Sequence, residues 1–270
     1  MIIAAVGDSF IYGSELQDCE QKKLQAGYSR KTFTALAAEA LGAKYTTNAY
    51  PGIGNDSIRR RTIDLCETAR RENKLHELFV IVSWTFPYRF EFRFPYRTMH
   101  SETPWYTIGP WTNLETPESV MTNVDQSVID LHLREIEYNK SVGLFDFVDS
   151  FLKNVGEDQW VAYHSLQSMV AVKDYLENRK IPYLFTSGSD DWIKHARAVP
   201  SNKSLQNLIE LAEFDDWFWF PGSTGFLRWA RENGYPYGST HPLEEAHAAA
   251  AVLIKEKISE VLQRHESTQS

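Results

Sequence analysis

The sequence predicts an α/β fold, a parallel sheet with helices on both faces. Short apolar runs recur along the chain and alternate with stretches of helical spacing, the rhythm that a parallel sheet imposes. The run "LFVIVS" (78–83) is apolar throughout, as a strand covered on both faces requires. With 270 residues the chain can bury a sizeable core and still form one α/β domain.

Taken in order, "IIAAV" (2–6) reads as the first strand. "YSRKTFTALAAEAL" (28–41) sets Phe33, Leu36, Ala37, Ala40 and Leu41 at helical spacing, and Gly42 stops it. Residues 44–48 read as a second strand, and "NDSIRRRTIDLCETARREN" as a helix that Asn55 or Asp56 would cap. A strand at 78–83 follows, then a long helical stretch ending near Arg179, a strand "IPYLFTS", and a final helix expected over 242–264. Two segments break the rhythm. Residues 86–122 are rich in aromatics and prolines, and within them "RFEFRF" alternates Phe90, Phe92 and Phe94 against Arg89, Glu91 and Arg93. The second, "EFDDWFWFPGSTGFLRWA", is a dense Trp/Phe cluster. No repeat or linker divides the chain, so one domain over 1–270 is expected, with an aromatic-rich insertion at about 86–122.

Hydrophobic residues (43%) and charged residues (24%) occur at ordinary frequencies, whereas aromatics reach 13% with eight Trp. A formal charge of −8 argues against binding to a phosphate backbone, so nucleic acid is not an expected partner. No window approaches the roughly 18 uninterrupted apolar residues of a membrane helix. Met1 leads directly into the first strand with no basic n-region or cleavage site, and Cys19 and Cys66 suggest no disulfide framework. A cytoplasmic protein without a membrane span is the expectation; the oligomeric state is left open.

Ligands of such sheets bind beyond the carboxyl ends of the strands. Ser9, Gly52, residues 83–85 and residues 187–191 follow such ends. Ser9 sits in "GDSF", which by itself reads equally well as a strand-ending turn. His241 stands directly before Pro242, at the mouth of the last helix, where it could serve as a base for the Ser9 hydroxyl. His241 and His247 are too far apart around a helix to share a face, so no metal is expected from "HPLEEAH". No phosphate-binding loop or dinucleotide fingerprint occurs.

Together these segments resemble the GDSL, or SGNH, hydrolase family. "GDSFIYG" is similar to its first block, "NAYPGIGND" to its second and "HPLEEAH" to its last. The resemblance implies a three-layer α/β/α sandwich on a flavodoxin-like parallel sheet of about five strands. It also implies a serine esterase acting without metal or cofactor on a small-molecule, carbohydrate or lipid ester, through an acyl-enzyme. Ser9 would be the nucleophile and His241 the base. Gly52, with Gly54 as the alternative, would donate an oxyanion-hole amide. Two departures stand out. The family's third block is Gly-x-Asn-Asp, where this chain has "SWTFP", leaving Thr85 or Asn55 as replacement oxyanion donors. The family also has Asp three residues before the His, and position 238 is Gly. Asp190, Asp191, Asp215 and Asp216 are the carboxylates considered in its place.

The aromatics have two readings, core packing or a stacking surface built from Trp84, Tyr88, Trp105 and Trp111, with Trp84 and Tyr88 as substrate contacts. An exposed Phe90/Phe92/Phe94 face would instead suit a dimer interface. Rival functions are a non-catalytic binding or structural protein on the same fold, and an acyltransferase.

Overall fold

The computed structural model describes residues 1–19, 27–93, 105–109, 112, 126–155, 158–189 and 202–269. Strands β1 (Ile2–Val6), β2 (Lys44–Thr47), β3 (Leu78–Trp84) and β6 (Tyr183–Ser187) form a parallel sheet in the order β2-β1-β3-β6. A separate antiparallel hairpin pairs β4 (Phe90–Arg93) with β5 (Trp105–Ile108), setting Phe90 opposite Ile108 and Phe92 opposite Tyr106.

Alternation along the strands divides the core in two. Ile3 and Ala5 of β1 and Phe79 and Ile81 of β3 face one side, covered by α2 (Phe33–Ala40), α8 (Phe226–Glu232) and α9 (Glu244–Gln269). Ala4 and Val6 with Val80, Val82 and Trp84 face the other, covered by α3 (Asn55–Arg71), α6 (Asp158–Asn178) and α7 (Lys203–Ala212). The result is a three-layer α/β/α sandwich, as the sequence led one to expect. A third cluster, Phe90, Ile108, Leu144, Val148 and Val161, lies under the hairpin and is closed by α5 (Leu144–Asn154). The helix α4 (Gln126–Ser141) precedes it.

The sheet has four described strands rather than about five. At the edge of β6, Phe218 N donates to Phe185 O at 2.8 Å, where a fifth strand would begin. The chain there is held back toward α7 instead, because the Trp217 and Trp219 indoles donate to the Ala212 and Phe214 carbonyls. Three helix starts also differ from expectation. Thr32 caps α2, its hydroxyl accepting from Ala35 N, so that helix begins at Phe33, the first residue of its apolar pattern and five residues after the start of the stretch 28–41. Gly54 is the cap of α3, and Asn55 is free for other bonds. Pro242 and Leu243 belong to a loop, since Leu243 N bonds Pro236 O and Pro242 bridges to Tyr237; α9 starts at Glu244.

Candidate active site

At the carboxyl end of β1 the chain turns at once into the four-residue helix α1 (Ser9–Tyr12). Asp8 is its N-cap, with Oδ1 accepting from Phe10 N at 3.1 Å. Ser9 therefore occupies the first helical position, where its N–H has no intrahelical partner. Its Oγ lies 2.8 Å from Nε2 of His241, which arrives on the loop before α9. The imidazole rests edge-on against Phe10, with ring centres 5.3 Å apart. Two residues 232 positions apart are thus brought together because β1 ends where the loop before α9 arrives.

The partner of the other imidazole nitrogen is a residue that sequence reading missed. Glu15 Oε1 lies 2.8 Å from His241 Nδ1, on the opposite side of the ring from Ser9. The carboxylate also accepts from Ser239 Oγ at 2.7 Å and from Thr240 Oγ1 at 2.8 Å, and the Thr240 amide reaches it at 3.2 Å. Burial alone would raise the Glu15 pKa, but the bonds from His241, Ser239 and Thr240 outweigh it and hold the carboxyl down at about 2. An ionised Glu15 accepts the Nδ1 proton, leaving the Nε2 lone pair facing the serine hydroxyl. Gly238 makes room for this arrangement: a Cβ there would stand 2.0 Å from Glu15 Oε2. Of the acids considered from sequence, Asp215 and Asp216 are exposed on a 3₁₀ turn, and Asp190 and Asp191 lie outside the described residues. The signal for Glu15 was present, an acid six residues after Ser9 in the turn that follows α1, but nothing in the sequence reports that this turn lies against residue 238.

The polar groups considered as oxyanion donors divide. Gly52 sits at φ +76 with open space where a Cβ would be, and its loop is tied to the turn after β1 by Tyr50 N donating to Gly7 O at 3.1 Å. Asn55 and Thr85 hold each other instead. Thr85 N donates to Asn55 Oδ1 at 2.9 Å, while Asn55 Nδ2 donates to Thr85 O at 3.2 Å and to Ser165 Oγ at 3.1 Å. The Thr85 hydroxyl donates to Asp8 Oδ2 at 2.5 Å, and Arg89 Nη1 completes that carboxylate at 3.1 Å. Both amide hydrogens of Asn55 and the one hydroxyl hydrogen of Thr85 are committed, so these residues brace the helix that carries Ser9.

The aromatics also divide. Trp84 is fully buried on the α3/α6 side of the sheet, packed on Phe185 and Trp217, because its position in β3 shares parity with Val80 and Val82. Its indole belongs to the core and does not line the site. Tyr88 is exposed and its hydroxyl donates to Asp158, which raises its pKa to about 12. Phe90 is buried within its own chain against Phe151 and Trp160, and Phe92 packs on Phe147 and Phe151, so these two close the third cluster rather than a dimer contact. Phe94 and Trp111 lie outside the described residues. His247 is a packing residue: buried beside Phe33 and Phe226, it accepts from Phe33 N through Nδ1, and burial lowers its pKa to about 3. Among the described residues no cluster of His, Cys, Asp and Glu could hold a metal ion, and no helix is long and apolar enough to cross a membrane.

No family profile matches this chain, and no curated protein matches it. Among solved structures it is similar to a carbohydrate esterase family 2 enzyme with a carbohydrate-binding domain from Corynascus thermopiles (Myceliophthora fergusii). The identity is 16% and the TM-score 0.46, over 97% of this chain and 66% of that one, so this chain spans just under two thirds of that protein. It is also similar to a protein described as lipolytic and of the G-D-S-L family from Desulfitobacterium hafniense, at 9% identity and a TM-score of 0.27, over 94% and 98% of the two chains. At such identities and scores neither likeness carries information about chemistry.

Proposed function

We propose that this chain is a serine ester hydrolase of the SGNH kind, with Ser9, His241 and Glu15 as its triad. The observation that supports it is the unbroken hydrogen-bond path from Ser9 Oγ through both imidazole nitrogens to Glu15, each step 2.8 Å. In this reading His241 Nε2 takes the Ser9 proton as Oγ bonds to the acyl carbon. The charge that develops on the carbonyl oxygen is received by the Ser9 amide, unused at the helix start, and by the Gly52 amide. The imidazolium returns its proton to the departing alkoxide, leaving an acyl-enzyme. Water then repeats the sequence: His241 takes its proton as its oxygen bonds to the acyl carbon, and the imidazolium returns that proton to Ser9 Oγ as the bond to the enzyme breaks. Glu15 stays ionised, stabilises the imidazolium and fixes the tautomer.

No metal or cofactor has a part in these steps, and the substrate proposed is a small-molecule, carbohydrate or lipid ester. The test is hydrolysis of p-nitrophenyl acetate by the parent and by Ser9→Ala. Loss of turnover in a variant with unchanged circular dichroism supports the reading, because removing a triad nucleophile leaves only the help of binding and the oxyanion donors. Equal turnover by the two proteins removes Ser9 from the mechanism.

A further inference from the structure

A cavity of about 530 Å³ lies beside the candidate active site, between the β4–β5 hairpin, the first turns of α3 and the start of α6. That volume is within the range of pockets that hold small ligands. Two short links join it to Ser9. Arg89 bonds Asp8, and its neighbour Phe90 lines the cavity; Asn55 bonds Thr85, and its neighbour Asp56 lines it.

One part of the lining is aromatic. Trp105, Trp160 and Phe92 border the space, with Phe90 buried beneath. His164 stacks on Trp160 with ring centres 5.0 Å apart and planes within 10°. The other part is polar, and its charges compensate one another. Arg60 forks onto Glu91 at 2.8 and 2.6 Å while lying over the Trp105 ring, and reaches Asp64 at 3.5 Å. Asp56 receives Ser168 Oγ at 2.8 Å and pairs with His164 Nε2 at 2.7 Å. With the Asp56 carboxylate as acceptor, Nε2 of His164 is the donor, which leaves Nδ1 as the ring's other polar atom.

This chemistry excludes several ligand classes. Three carboxylates against two arginines give no cationic surface for a phosphate, and Glu91, Asp56 and Asp64 already have protein partners, so none is left unpaired for a strongly cationic ligand. An aliphatic chain would bury polar groups without returning a hydrogen bond. A ring with C–H groups on its face and hydroxyls on its edge matches both parts of the lining. We propose that the cavity is a carbohydrate-binding site, which holds a neutral sugar unit against the indoles of Trp105 and Trp160 with its hydroxyls on Asp56 and His164. Such binding needs no ester chemistry at Ser9.

The experiment titrates cellohexaose and xylohexaose into the full chain, as wild type and as Ser9→Ala, by calorimetry. Binding of at least one hexaose by both proteins with the same Kd is expected, and Trp105→Ala, with unchanged circular dichroism, should weaken it at least tenfold. Trp160 packs on Phe90 and Phe151, so its truncation risks the fold. Its part is read without substitution, from hexaose-induced shifts of the indole N–H signals, which should fall on Trp105 and Trp160. Absence of binding by either hexaose at millimolar concentration, undiminished binding by Trp105→Ala, or shifts confined to other indoles would overturn the proposal. Hexaose binding without ester cleavage would retain this site and remove the reading of Ser9; cleavage without binding would do the reverse.

Discussion

Glu15 meets His241 Nδ1 at 2.8 Å with one carboxylate oxygen, and with the other it fills the space that a side chain at position 238 would occupy. The acid expected three residues before the histidine has in effect been supplied from the other end of the chain. Glu15→Ala should lower kcat by about 10⁴, the scale seen when a triad acid is lost and the tautomer is no longer fixed. The double variant Glu15→Ala with Gly238→Asp should recover part of that loss, because removing the glutamate vacates the space the new aspartate needs. Gly238→Ala alone should impair turnover by displacing Glu15. Steady-state kinetics on one ester decide the matter, and a Glu15→Ala enzyme within tenfold of the parent would exclude Glu15 from the mechanism.

Acid stability should fall in two overlapping windows. His247 is held neutral by burial, its pKa lowered to about 3 from an ordinary 6.5, so the unfolded chain binds a proton there first and stability declines as pH drops below about 6.5. Glu15 is depressed to about 2 from 4.5, so its contribution is complete above about 4.5 and is lost as pH falls toward 2. Urea midpoints across pH 3–7 should therefore flatten between about 6.5 and 4.5 in His247→Gln, whose amide can still accept from Phe33 N. In Glu15→Gln the slope should lessen only below about 4.5, where His247 still contributes to it. A His247→Gln profile parallel to the parent would contradict the burial argument.

Arg89 is expected to matter for stability through Asp8. The Asp8 carboxylate is buried and shared by Phe10 N, Thr85 Oγ1 and Arg89 Nη1. Removing one partner of a buried pair strands the other charge, at a cost of roughly 3–5 kcal/mol. Arg89→Met should show a loss of that order in urea denaturation. Adding Asp8→Asn should reduce the loss, since the stranded charge is then gone. Loss below about 1 kcal/mol in the single variant would mean that Asp8 keeps its solvation by other means.

Trp84→Ala should destabilise the protein by about 3–5 kcal/mol, as large-to-small changes of a buried aromatic do. It should leave the ratio of turnover on small and large esters unchanged, because the indole packs on Phe185 and Trp217 across the sheet from His241. Initial rates on acetyl and longer acyl esters check this. A shift in preference without loss of stability would place Trp84 at the substrate after all.

The layered fold was legible because strand burial is written in local sequence: "IIAAV" and "LFVIVS" can only be covered strands, and the order of strands and helices leaves few topologies. Ser9 and His241 were legible for the same reason, each standing next to a strand end or a helix start. What escaped depends on contacts between distant segments. Nothing local marks Glu15 off from other loop acids, since its role depends on the fold setting it against His241 and Gly238, and the expected donor Asn55 is instead clamped on Thr85. The burial of Trp84 is written in its parity with Val80 and Val82, which outweighs its position at the strand end. Helix starts shifted wherever a neighbouring polar group, Thr32 or the Pro236 carbonyl, competed for the first amides.

The central claim is that Ser9 is an activated nucleophile, and covalent labelling tests it most directly. A fluorophosphonate probe should modify the wild-type protein at Ser9, located by peptide mass spectrometry, with no label on Ser9→Ala and much slower labelling of His241→Ala and Glu15→Ala. Failure of the folded wild-type protein to react, or modification at a serine other than Ser9, would contradict the account.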